Sequence, residues 1–600
     1  MCSKTKLLSS RLSLAAGVLI FIGSSVAAET NSIPVMAWNL SAGANNCFSD
    51  GTNDFVLALK TNLPPAFNQS AIKQSPEISG PNPKIPYFNV QFAMPVPPEN
   101  LTNNFAALTG MDPNVFTHNH SPGFEVLPNG DCLAIYFSTP PGKAEADPST
   151  SFVQARLRYG AEEWDMPELF YKTANYNDQS GLLWQEGNKL WFFGGGRDAV
   201  VPFKMATSTD NGATWTLSLP QLDETPTNIT PQPITSAFRG PDGTIYFAMD
   251  GDGAKSFLWR STDDGIHWHQ MSGRTGGRHS VIVPVGEKGK LLSIGGKNAS
   301  VNGWSPENVS TNWGESWSTS KESPFPPLGS AQRPSMIRLA DGNLFFVSDA
   351  WLQKADRPPP KGWKNGDGCF VAISTNNGES WHIKTLPVQL LNHQFRKHGT
   401  LGYVTARQAP GGVIHVLTTE TQPCLQYEMN EAWIWSNAGD IAPENSGGAV
   451  KDFSENYPTG KLRSKWSARI CPHGRYLLNG TETDFYESGA KQHEVTYVNG
   501  RKSGTETFWL PDGTKLWTWE SDLKKNTAVW THFWSNGKKR VESHWNTKPK
   551  ARDLDRSFFG FVANGPAYQW NEKGELTGAY NFTNGMFAGT LPMQKERGKK

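Results

Sequence analysis

The chain has 600 residues, 56 of them basic and 55 acidic, for a formal net charge of +1. A balance this even creates no global field to attract nucleic acid or an acidic membrane surface, so partners must be sought in local sites. With 23 tryptophans, 58 glycines and 42 prolines, the composition suits many short strands and tight turns and disfavours a helix-rich fold.

Residues 1–28 read as an export signal: Lys4, Lys6 and Arg11 precede an apolar stretch at 12–22, and small residues run to Ala28. The apolar stretch is shorter than the roughly 20 residues that cross a bilayer. A secreted or periplasmic protein is therefore expected, with no transmembrane anchor after signal removal. Residues 29–84, with Pro64-Pro65 and Gly80-Pro81-Asn82-Pro83, read as an irregular cap or linker. Cys47, Cys132, Cys369, Cys424 and Cys471 remain in the exported chain. Their odd number and wide scatter favour buried thiols over a disulfide framework.

At 208–215, 261–268, 310–317 and 374–381 the chain repeats one pattern: Ser-Thr, then Asp or Asn, any residue, Gly, two more residues and Trp. Asp or Asn at the third position can bond the backbone downstream, Gly supplies the positive φ of a tight turn, and Trp buries its ring. Between the copies lie strand-like runs, each after a Gly-bearing turn, such as Leu190-Trp191-Phe192-Phe193 and Asn343-Leu344-Phe345-Phe346. The repeat length suits a four-stranded blade, and six blades of roughly 50–60 residues fill the interval 85–465. From 472 to 600 a second repeat takes over. Aromatic residues precede turns at Gly489, Gly513 and Gly537, spaced 24 apart, with a degenerate copy at 568–575. Each unit reads as a hairpin burying its rings on the next.

The four Ser-Thr-Asp/Asn segments resemble the Asp boxes of the sialidase superfamily, which lie at the blade periphery away from the active site. The hairpins resemble MORN-type repeats. Together the resemblances imply an all-β chain, a six-bladed β-propeller followed by MORN-like hairpins that form a stacking module or an envelope or protein contact. They also imply chemistry at the central axis, on the inner strands.

Site residues follow from the same resemblance. Segment 118–130 is similar to the opening sialidase strand, with His120 where that family has the first arginine of its carboxylate-binding triad. Loop 140–148 occupies the interval of the acid loop, which makes Asp147, or its neighbour Glu145, the candidate general acid. The strand at 277–282 puts His279 at the place of the family's glutamate base. Segment 401–420 looks like the pair of strands that a nucleophilic tyrosine opens and a glutamate closes, here Tyr403 and Glu420. A neutral phenol suits an anomeric centre beside a carboxylate, because it avoids the repulsion an Asp or Glu nucleophile meets. Arg278 and Arg333 are the foremost candidates for binding the substrate's anion, joined by Arg197 and Arg407, with Glu431 and His415 on the rim.

The expectation is an exported glycoside hydrolase resembling exo-α-sialidases, cleaving a terminal acidic sugar from glycans. One alternative is a polysaccharide lyase or rhamnosidase-like enzyme in which His120 and His279 move protons. Another is a non-catalytic glycan-binding propeller. No phosphate loop, zinc helix or paired Cys-x-x-Cys ligands occur, so neither a metal nor any other cofactor is expected. The geometric requirement is that Tyr403, His120, His279, Arg278 and Arg333 converge on one axial pocket.

Overall fold

Short apolar runs punctuated by glycine turns fold here as successive antiparallel sheets. The computed structural model describes residues 37–38, 71–74, 80–100, 102–173, 176–196, 201–352, 357–388, 400–419, 424–547 and 561–593. Blade 1 consists of strands His118–Val126, Cys132–Thr139, Ser151–Leu157 and Glu168–Tyr171. Blade 2 runs from Gln179–Glu186 to Thr216–Ser218, blade 3 from Ile229–Arg239 to His267–Gln270, blade 4 from Val281–Pro284 to Lys321–Glu322, and blade 5 from Ser335–Arg338 to His382–Thr385.

Blade 6 draws only three strands from its own stretch, Thr405–Gln408, Ile414–Leu417 and Cys424–Met429. Its outer place is taken by Phe88–Ala93, from before blade 1, paired antiparallel from Phe88 with Met429 to Ala93 with Cys424. Inner strands touch in order round the ring, and the first strand of blade 6 returns to that of blade 1. The fold is thus a closed six-bladed β-propeller. Among the described residues helix is confined to Glu431–Trp435 and the single turn Ala106–Thr109, and no helix is long and apolar enough to cross a membrane.

The repeated boxes join the third and fourth strands of blades 2 to 5. In the first, Ser208 Oγ donates to Asp210 Oδ1 at 2.7 Å and accepts from Gly212 N at 2.9 Å, and Trp215 Nε1 donates to Gly212 O at 3.1 Å. The glycine is also where adjacent blades meet. A Cβ on Gly212, Gly265, Gly314 or Gly378 would stand 3.0, 2.7, 2.8 or 2.5 Å from Leu133, Trp191, Leu258 or Leu292 of the preceding blade. All four glycines hold positive φ, so conformation and inter-blade packing exclude a side chain at the same place.

The C-terminal strands, from Ala449–Asn456 to Met586–Thr590, form one hairpin sheet. It begins upstream of residue 472, because a turn of the same closure already stands at Gly460, where Tyr457 N donates to Lys461 O at 2.8 Å. That turn falls outside the 24-residue step. The sheet packs on the propeller: Trp517, Trp519, Trp530 and Trp545 share a core with Phe124, Val126 and Trp164. Beside this core, Arg501 pairs with Glu163 at 3.0 Å and Lys502 with Asp165 at 3.1 Å. Cys132, Cys369, Cys424 and Cys471 are buried thiols. Residues 1–28, Cys47, Arg197 and Glu420 lie outside the described residues.

Candidate functional site

At one mouth of the channel the first strand of each blade begins and the second ends, so residues far apart in sequence become neighbours there. Tyr403, just before Thr405–Gln408, is set by Gly402. At that glycine φ is +63°, and a Cβ would stand 2.2 Å from Thr419 O. Tyr403 N donates to Thr419 Oγ1 at 3.0 Å. On its other side Arg333 N donates to Gly402 O at 3.0 Å and Val404 N to Arg333 O at 3.3 Å. Asp349, ending the second strand of blade 5, accepts from Leu401 N at 2.9 Å and from Gln332 Nε2 at 3.1 Å. One buried carboxylate therefore fixes the segments that carry both Tyr403 and Arg333.

His279 has φ +58°, a left-handed conformation that costs a histidine about 1–3 kcal/mol. Asp250 holds it there: His279 N donates to Asp250 Oδ1 at 2.9 Å, and Nδ1 lies 2.6 Å from Asp250 Oδ2. The ring's Nε2 lies 3.1 Å from Tyr403 Oη. Lys297, which follows Gly295 and Gly296, donates from Nζ to the same phenol oxygen and to Ser330 O at 3.0 Å. Burial lowers the His279 pKa to about 3 despite the neighbouring carboxylate. Burial alone would raise Asp250, but His279 and Arg278 hold it at about 2. The stable state is a neutral imidazole beside an ionised carboxylate, and the Tyr403 hydroxyl also reaches Ser330 O at 3.3 Å.

The remaining cations and histidines frame this chain. Arg333 is buried with its guanidinium 5.2 Å from the Tyr403 ring centroid, and it donates to Ser121 Oγ at 3.0 Å and Thr405 Oγ1 at 3.3 Å. Arg278 donates to Asp250 Oδ2 at 2.8 Å and to Gln232 Oε1, and keeps 27% of its side chain exposed. A bulge between His120 and Gly123, with Ser121 at φ +48°, places the His120 ring centroid 4.0 Å from that of Tyr403. Burial, reinforced by His118 and Lys297, pushes the His120 pKa well down. Nearer solvent, His118 Nε2 lies 3.1 Å from Glu145 Oε1, and Gln179 Nε2 donates to Glu145 Oε2 at 3.0 Å.

Tyr403, His279, His120, Arg333 and Arg278 thus lie together at this mouth, linked by the contacts above. Asp147 is turned into its own loop, accepting from Ser149 N at 2.9 Å and lying 3.4 Å from Lys143; its loop neighbour Glu145 reaches the mouth. Arg407 lies deeper in the channel. It bonds Glu125 Oε2 at 2.8 Å, Leu183 O at 2.8 Å and Thr235 O at 3.2 Å, tying blade 6 to blades 1, 2 and 3. Glu431 accepts from Asn343 Nδ2 at 2.9 Å, at the end of blade 5 away from the mouth. His415 lines a cavity between propeller and hairpin sheet, with Glu428 and Arg475.

Two members of the site, Asp250 and Lys297, were not found from sequence. Their signal is faint but present: each ends or follows the second strand of its blade, where an ionic side chain faces the mouth.

Residues 130–416 match the family of BNR repeat-like domains. The propeller fits the sialidase superfamily. No curated protein matches the chain. Among solved structures, a protein of unknown function from Dyadobacter fermentans is 16% identical, covering 57% of this chain and 99% of that one, with a TM-score of 0.40. The intramolecular trans-sialidase from Ruminococcus gnavus is 13% identical over 55% of this chain and 98% of its own, TM-score 0.39. A sialidase from Trypanosoma rangeli is 12% identical over 87% and 92%, TM-score 0.38.

Proposed function

We propose that this chain is an exported glycosidase that releases a terminal acidic sugar with retention, using Tyr403 as nucleophile. The contact between Tyr403 Oη and Nε2 of a neutral, carboxylate-backed His279 carries the reading. Tyr403 Oη attacks the anomeric carbon as its proton passes to His279 Nε2. Asp250 steadies the imidazolium that forms, and Lys297 steadies negative charge on the phenol oxygen. The glycosidic C–O bond breaks, and its oxygen takes a proton from the carboxyl group of Glu145 at the rim. In the second half Glu145 takes a proton from water, which attacks the anomeric carbon. The C–O bond to Tyr403 breaks, and the proton returns from His279 to the phenol. Arg278 receives the sugar's carboxylate. The hairpin sheet serves as an envelope or protein contact, and residues 1–28 direct export.

The test is to offer the mature protein α-sialosides, uronic-acid glycosides and rhamnosyl glycans and to follow the first-formed anomer by NMR. Release of an acidic sugar with retained configuration supports the reading. Formation of an unsaturated uronide, release of rhamnose alone, or no turnover of any acidic glycoside overturns it.

A further inference from the structure

We infer that the groove between blades 4 and 5, on the outer flank of the propeller, is a second glycan-binding site that takes an uncharged oligosaccharide. The groove lies where blade 4 differs from blades 2, 3 and 5 at one register position. The serine that opens each Asp box pairs with Leu190, Ile245, Leu291 and Leu344 in blades 2 to 5. The next residue is Trp191, Tyr246 and Phe345 in blades 2, 3 and 5, but Leu292 in blade 4. Leu292 stands opposite Val309, where blade 2 pairs Trp191 with Thr207. The outer strand of blade 4 has only two residues, Lys321–Glu322.

The groove has a volume of about 1500 Å³, including its open mouth, with Leu292 and Val309 among its lining and Trp304 and Trp381 beside them. Glu307, whose Oε1 lies 2.8 Å from Lys321 Nζ, stands on the same lining. Partly buried indoles beside a paired carboxylate and ammonium match a sugar ring, which offers an apolar C–H face and a rim of hydroxyls. Charge selects the kind of sugar. Glu307, Glu322 and Glu379 outnumber Lys290 and Lys321 on the lining, which disfavours a polyanion. The axial mouth, with Arg278, Lys297 and Arg333, has the opposite character. The two sites share no residue, so the inference stands or falls apart from the axial chemistry.

Cellohexaose, xylohexaose and chitohexaose as uncharged probes, and an oligogalacturonate as polyanion, are titrated into the mature full-length protein by calorimetry. At least one uncharged probe is expected to bind, and the oligogalacturonate is not expected to bind the groove. Trp304→Ala, which removes the ring, and Val309→Trp, which fills the groove, should each weaken binding at least about tenfold. Tyr403→Phe should leave binding unchanged. Thermal melts identify any variant that fails to fold, and the two substitutions act by opposite changes of volume. Failure of all three uncharged probes to bind the wild type overturns the inference. So does wild-type affinity in every folded groove variant, or loss of binding in Tyr403→Phe.

Discussion

Nε2 of His279 lies 3.1 Å from Oη of Tyr403, while Nδ1 of the same ring lies 2.6 Å from a carboxylate oxygen of Asp250. The phenol thus stands beside an imidazole nitrogen whose ring is backed by a carboxylate. Asp250→Asn removes the charge that would stabilise an imidazolium at His279, and turnover of the acidic glycoside should fall about a thousandfold or more. The melting temperature of the variant, measured alongside, should change far less than its rate.

Lys297 Nζ donates to the same phenol oxygen. Lys297→Met keeps much of the side-chain volume and removes the cation, so kcat should fall by about two to three orders of magnitude. Steady-state kinetics on one good substrate separate this from a binding effect, because a lysine that served only to hold substrate would raise KM and leave kcat alone.

Arg407 and Glu125 make a different prediction, because their pair holds the ring together from inside. Arg407→Met leaves Glu125 buried without its ionic partner, and stability should drop by about 3–5 kcal/mol. In the double variant with Glu125→Gln much of that loss should return. Urea unfolding of the two single variants and the double variant checks both statements.

The fold was legible in sequence wherever one local rule repeats. The Asp boxes combine a turn-forming Asp or Asn, a glycine at positive φ and a ring-burying Trp, and four copies in step specify blades. Gly489, Gly513 and Gly537 mark hairpins in the same way, whereas Gly460 escaped notice because its turn is out of step. Tyr403, His279 and His120 were readable from their places at the start of inner strands. Asp250 and Lys297 were not, because they face the mouth only once the ring closes and the second strands end beside the first. The roles of Asp147 and Glu145 turn on a loop conformation that spacing does not encode. Arg407 has a charge suited to substrate, and only the register of blade 6 shows that it spans the channel instead.

Buried histidines contribute to the pH dependence of stability. Burial lowers His279 and His532 to about 3, against about 6.5 in an unfolded chain. Their contribution is therefore complete above pH 6.5 and is lost as pH falls toward 3. Burial would lower His493 too, but Asp484 and Glu506 hold it at about 9. Its contribution is complete below pH 6.5 and is lost as pH rises through 9. His493→Gln should lessen the loss of melting temperature between pH 6.5 and 9.

The most direct measurement is to trap the glycosyl-enzyme. Mature protein is incubated with a glycosyl fluoride of the acidic sugar that carries a second fluorine on the carbon next to the anomeric centre, which slows hydrolysis of the intermediate, and the modified peptide is mapped by mass spectrometry. A single sugar on the peptide that contains Tyr403, absent from Tyr403→Phe, is the predicted result. A sugar on any other residue, or no adduct at all, would contradict the account.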